Sequence, residues 1–290
     1  MRMTFLLVIA VFAASSRLPV AEGMGGYIRA DIAAKINAPV YSLRSMSPDS
    51  IPRVVDYRDK FVTPVKDQGK CGSCWAHSAV EEVESMLAFQ TGHVPPQPLS
   101  VEQVLVCCGD NISTCWGCMG GDMVVAYEYL INRSKGLDTS SDYPYDPHTD
   151  PFDPPKCLAS TYKPVVKVTG WQYAVPRCRS GGCDENSKEK DMLLAAVVAE
   201  KGPVSIAMDM TLDMFHKYRG GISDGMGCSS AADKLDHGVQ IVGYNLDAGY
   251  WLVRNSYGST WGEQGYMRLT FGNNTCGLSN EATVVEVKPL

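Results

Sequence analysis

Residues 70–78 read KCGSCWAHS, two cysteines at C-x-x-C spacing with a histidine three positions beyond the second. Three chemistries use such a pattern. A dithiol can cycle with a disulfide, a thiolate pair can hold half of a zinc ion, or one cysteine can be a nucleophile beside a structural neighbour. A thioredoxin-like motif should follow a strand in a short βαβ unit; here the preceding residues, DQGK, read as a turn, and the β-rich region comes much later. Zinc requires a second ligand pair, which Cys115 and Cys118 offer, but eleven cysteines fit an oxidising compartment in which zinc thiolates are uncommon. Eleven is also odd: ten can pair, and the last is an interchain link or a reactive thiol. As a nucleophile, Cys74 would open a helix, where unpaired N–H groups and the helix dipole favour thiolate. A thiolate also needs a base. His77 lies one turn along, and His237, in LDHGVQIVGY, lies far off in sequence; residue types alone do not choose between them.

The elements that position these residues change character along the chain. Helical composition covers 73–90, 99–107 and 122–132, followed by the proline-rich loop DYPYDPHTDPFDPPK. From about residue 162 the segments VVKVTGWQYAV, GPVSIAMDM, HGVQIVGYN, GYWLVRNSY and GYMRLTF read as strands, interrupted by a helix over 188–200. A helical first half and a β-rich second half predict an α+β protein in two lobes, residues 51–160 and 161–290, with the site in the crevice between them. The start, MRMTFLLVIAVFAASS, reads as a secretory signal within residues 1–21, its apolar run too short to span a bilayer. Cleavage after Ala14, Ser16 or Ala21 fits equally. Residues 22–50 are weakly amphipathic and end in the polar SMSPDSIP, a short propeptide open to processing. Sequons at Asn111, Asn132 and Asn273 fit the secretory route. A net charge of −6 offers no basic field for nucleic acid, and no cofactor or metal is called for.

DQGKCGSCWAHSA, LDHGVQIVGY and NSYGSTWGEQGY, in that order, resemble the catalytic blocks of papain-type cysteine proteases, with the resemblance running from about residue 51 to the end. It implies the papain-like fold, a helical left lobe and a β-barrel-like right lobe, and endopeptidase activity through a thioester acyl-enzyme. By the same resemblance Cys74 is the nucleophile, His237 the general base and acid, Asn255 the group that holds the imidazole, and Gln68 a donor to the oxyanion hole. It also implies the pairings Cys71–Cys118, Cys107–Cys157, Cys108–Cys115 and Cys228–Cys276, with Cys178 and Cys183 joined locally, so that Cys74 is the odd thiol. Implied pocket residues are Gly120, Gly121, Met123, Ala207, Leu235, Gly238, Trp261 and Glu281. The implied partners are protein and peptide substrates, the chain's own propeptide and cystatin-type inhibitors, acting on a monomer in a lysosome-like, vacuolar or extracellular setting.

Within the family, the adjacent Cys107 and Cys108, the PKC at 155–157 and the ending CGLSNE look most like cathepsin B, which places Glu281 at the floor of the S2 pocket. A carboxylate there can pair a P2 arginine, so hydrophobic P2 residues with arginine tolerated are expected. Cathepsin B's paired histidines and occluding insertion are missing: residues 121–157 contain only His148, so the cleft should be open at both ends. His77 stands where the family has phenylalanine, and Tyr257 replaces the tryptophan that covers the His–Asn bond, with Trp261 retained nearby. The segment before residue 51 is shorter than the helical proregions of cathepsin L relatives but long enough to thread the cleft.

Overall fold

A computed structural model describes residues 26–32, 35, 37–109, 115–149, 155–178, 186–211, 213–225 and 227–290. The signal, Asn111 and Cys183 lie outside the described residues.

The first lobe is built on α1 (Cys74–Thr91), α2 (Val101–Cys107) and α3 (Met123–Asn132). Ser100 and Asp122 cap α2 and α3, their side chains accepting the N–H groups of Gln103 and Val124. α1 ends at Gly92, whose φ of 69° is the left-handed conformation that stops a helix. Its apolar face, with Trp75, Ala79, Val80, Val83 and Met86, packs in one core with α2 and α3.

The second lobe is a sheet of eight strands. β1 (Val54–Asp56), β2 (Val166–Tyr173), β3 (Val204–Met208), β4 (Ile222–Ser223), β5 (His237–Asn245), β6 (Tyr250–Arg254), β7 (Tyr266–Thr270) and β8 (Glu281–Pro289) pair in the order β2-β8-β3-β5-β6-β7-β4, with β1 added to β5. All named pairs are antiparallel except β4 with β7. α4 (Ser187–Lys201) covers one face with Leu194, Val197 and Val198, while α5 (Asp213–His216) is a single turn.

The lobes are less separate than a cut at residue 160 implies. Val166, Val168 and Trp171 of β2 belong to the helical lobe's core, as do Val285 and Val287 of β8. The sheet therefore carries its edge under the helices, and the crevice forms where β3, β5 and the start of β8 meet the N-terminus of α1. Gly121 sits where a Cβ would lie 2.5 Å from the Trp75 ring. Gly121→Ala should lower stability by about 1–3 kcal/mol, measured as a shifted urea midpoint; an unshifted midpoint would mean the ring moves freely.

Candidate active site

Cys74 is the first residue of α1, and among the described residues it is the free cysteine, with no solvent exposure. Ser73 precedes the helix but gives no side-chain cap; its Oγ instead meets Tyr145 Oη at 2.7 Å and His77 Nδ1 at 3.3 Å. The Ala76 and His77 N–H groups close onto the Ser73 carbonyl, both at 3.0 Å, so the helix end keeps its dipole directed at the thiol without a side-chain cap. The disulfide Cys71–Cys118 and the Gly72 N–H donated to the Cys118 carbonyl fix the loop that delivers the thiol.

Across the crevice, β5 begins with His237. Its Nε2 lies 2.8 Å from Asn255 Oδ1, and the Ser256 backbone N–H donates to the same oxygen, which identifies it as the acceptor. Nε2 must therefore carry the proton, leaving the lone pair of the neutral ring on Nδ1. Nδ1 is buried and has no hydrogen-bond partner among the described residues. Cys74 Sγ accepts N–H groups from Gly238, the neighbour of His237, from Gly26 at 3.0 Å and from Trp75. Gln68 is held from both ends, its Oε1 accepting from Ser256 Oγ at 2.6 Å and its Nε2 donating to the Cys71 carbonyl at 2.9 Å. Cys74, His237, Asn255 and Gln68 are thus gathered at one end of the crevice. Ser256, which the sequence reading did not single out, ties two of them together.

His77 belongs to a different network. Its Nδ1 lies 3.1 Å from the Ser73 carbonyl, its ring meets Tyr145 edge-on, and burial pushes its pKa down to about 3, so it is a neutral, packed group. Tyr257 lies 5.1 Å from the His237 ring, centroid to centroid. Trp261 stands behind Tyr257 at 5.6 Å, buried, with its indole N–H on the Phe215 carbonyl; it supports the cover rather than lining the pocket.

The remaining pocket positions form one wall. Ala207 pairs with Gly238 on one side and with Glu281 on the other, so the sheet register alone sets them side by side. A Cβ at Gly238 would lie 3.1 Å from the Cys74 carbonyl and 3.3 Å from Met123 Sδ, and one at Gly277 would lie 2.6 Å from Leu235. Gly120, with φ of 123°, and Gly121 form the opposite strand-like edge.

That edge is occupied by the chain itself. Ile28 N–H donates to the Gly121 carbonyl and Gly121 N–H to the Gly26 carbonyl, both at 2.8 Å, a parallel bridge centred on Tyr27. Tyr27 N–H reaches the Asp236 carbonyl at 2.9 Å. Burial pushes the Cys74 thiol up to about 11 and the His237 imidazole down to about 4, each partly offset by hydrogen bonds. With the segment in place both groups are neutral.

The expected disulfides Cys71–Cys118, Cys107–Cys157, Cys108–Cys115 and Cys228–Cys276 are formed. Cys178 is also oxidised, its expected partner Cys183 lying outside the described residues. Asn132 and Asn273 are exposed. Among the described residues there is no group of three or more ligands suited to a metal, and no helix long and apolar enough to cross a membrane.

A free thiol at a helix N-terminus, hydrogen-bonded to the strand of a second lobe that carries an imidazole–amide pair, is the site of a cysteine-nucleophile fold. The model of the papain family cysteine proteases matches residues 51–286, and the chain belongs to that family. It is 35% identical over 243 residues to mouse (Mus musculus) cathepsin R, covering 80% of this chain and 64% of that protein. It is 36% identical over 236 residues to chicken (Gallus gallus) cathepsin K, covering 80% and 63%. Among solved structures, the digestive procathepsin L2 proteinase from Tenebrio molitor larval midgut superimposes with a TM-score of 0.70 at 31% identity, covering 90% of this chain and 78% of that one. The matched stretch thus spans just under two thirds of these curated relatives. The cathepsin B-like subtype is not supported: the relatives carry other cathepsin names, and a few local residues weigh less than identity over some 240 positions.

Proposed function

We propose that this chain is a cysteine endopeptidase of the secretory route, made as a latent precursor. The observation that carries the reading is Cys74 at the start of α1, bonded to the backbone of Gly238, with His237 locked to Asn255. His237 Nδ1 takes the thiol proton, the sulfur attacks the scissile carbonyl, and the oxyanion is met by the Cys74 N–H and a Gln68 N–H. The imidazolium protonates the leaving amine, and water then resolves the thioester by the reverse roles. Residues 22–50 act as the propeptide: residues 26–30 occupy the crevice and exclude substrate, and residues 1–21 are the signal.

Glu281, buried beside Ala207, would meet the P2 side chain. The processed chain should accept a Phe-Arg peptide and also turn over an Arg-Arg peptide. Glu281→Ala should lower the Arg-Arg to Phe-Arg ratio of kcat/KM about tenfold, on the order of 1–3 kcal/mol for an unpaired guanidinium. No turnover of Arg-Arg by the unmutated chain, with a ratio unmoved by Glu281→Ala, would refute this preference. Release of C-terminal dipeptides as the main activity would refute the open cleft.

A further inference from the structure

Lys35 belongs to the N-terminal segment, yet its ammonium is buried in the crevice with no side-chain exposure. It lies 2.6 Å from Asp122 Oδ2, 3.4 Å from Glu281 Oε2 and 3.3 Å from the Tyr27 hydroxyl. One oxygen of Asp122 caps α3, accepting from Val124 N–H at 2.9 Å. The other oxygen faces the segment, taking Lys35 and the Ala30 N–H. Glu281 is similarly divided: Oε1 lies 3.0 Å from Arg29 Nε of the segment and 3.7 Å from Arg177 Nε, yet neither N–H aligns well enough to satisfy it.

Removal of the segment changes this balance. Lys35 and Arg29 leave together, and among the described residues Arg177 is then the cation within 4 Å of either carboxylate, at 3.7 Å from Glu281 alone. Asp122 Oδ2 keeps no partner among the described residues. The emptied crevice leaves two carboxylates facing each other across the space that an ammonium filled, so a cation entering there regains the charge-assisted hydrogen bonds that Lys35 makes in the closed state. Tyr27 shows that a side chain projecting from the Gly121-bridged position reaches this spot, because its hydroxyl touches the Lys35 ammonium.

We propose that Asp122 and Glu281 together form a receptor for the basic side chain of a substrate P2 residue, and that Lys35 occupies this receptor while the segment is in place. The inference rests on the peptidase reading and goes further. It makes a basic P2 residue favoured rather than tolerated, and it makes Asp122 a specificity-determining residue.

The test has two parts. First, the processed enzyme is given peptides that differ only in arginine or citrulline at P2, which share shape but not charge. Arginine should be favoured at least tenfold in kcat/KM, and Asp122→Asn, which preserves the α3 cap, should reduce that ratio at least fivefold. Equal use of the two peptides overturns the receptor, and a ratio unmoved by Asp122→Asn overturns the role of Asp122. Second, hydrogen exchange of the Ile28 amide is followed in the full chain, a readout that needs no catalysis. Lys35→Met and Asp122→Asn should each cut protection at least tenfold, whereas unchanged protection in both overturns the latch. An enzyme that cleaves neither these peptides nor a P2-leucine control, with the latch intact, refutes the peptidase reading and with it the P2 receptor, and leaves only the pairing of Lys35 with Asp122, which the exchange result carries.

Discussion

Cys74→Ala is expected to abolish peptide cleavage, a loss on the order of a millionfold, because the thiol is the only group proposed to form the acyl-enzyme and the remaining residues cannot substitute for it. His237→Ala should cost nearly as much, since the thiol would lose the lone pair on Nδ1 that accepts its proton. The two losses should not add, as nucleophile and base act as a unit. The check is kcat/KM on a Phe-Arg peptide for both single variants and the double variant, with thermal midpoints confirming that each folds. Cys74 is fully buried and small, so its truncation to alanine leaves the helix start intact. Turnover by Cys74→Ala within about a hundredfold of the unmutated chain would remove the basis of the proposed mechanism.

The second large effect belongs to Gly26. A Cβ there would lie 1.8 Å from the Gly72 carbonyl oxygen, backbone against backbone, so no side chain fits over the nucleophile. Gly26→Val must therefore lift the segment away from Cys74 and break the N–H donated to Sγ. In the closed state burial pushes the Cys74 thiol up, so it is held protonated at pH 7. Exposure of the crevice returns water to both groups and restores the thiolate–imidazolium balance. The intact Gly26→Val chain should consequently cleave a small peptide at least about a hundredfold faster than the intact unmutated chain, with mass spectrometry confirming that no processing has occurred. Equal rates would mean that residues 26–30 do not control access.

Much of this site was legible because the motifs lie on elements with clear signatures. The Ala- and Glu-rich run after Cys74 folds as α1 within a residue of its expected bounds, and HGVQIVGYN is β5 over its whole length. What escaped notice depended on tertiary placement. β8 was not read as a strand although EATVVEVKP is rich in valine, because its role is to bridge β2 and β3, and a long-range pairing leaves no local mark. Asp122 looked like the first residue of a helical run and Lys35 like one charge on an amphipathic run; only the crevice brings them within 2.6 Å. Ser256 appeared as part of a motif, but its hydroxyl on Gln68 depends on two segments 188 positions apart. The boundary between lobes was also sharper in sequence than in space, since composition changes at one point while the core of the helical lobe takes valines from β2 and β8.

The most direct measurement is the pH dependence of Cys74 labelling by a thiol-directed epoxide in the processed chain, with the adduct mapped by mass spectrometry. A sulfur paired with His237 should give one adduct, at Cys74, at a rate that stays high down to about pH 5, with peptide cleavage lost mole for mole. An adduct on another residue, or a rate that falls away below about pH 8.5 as for an ordinary thiol, would contradict the pairing of Cys74 with His237.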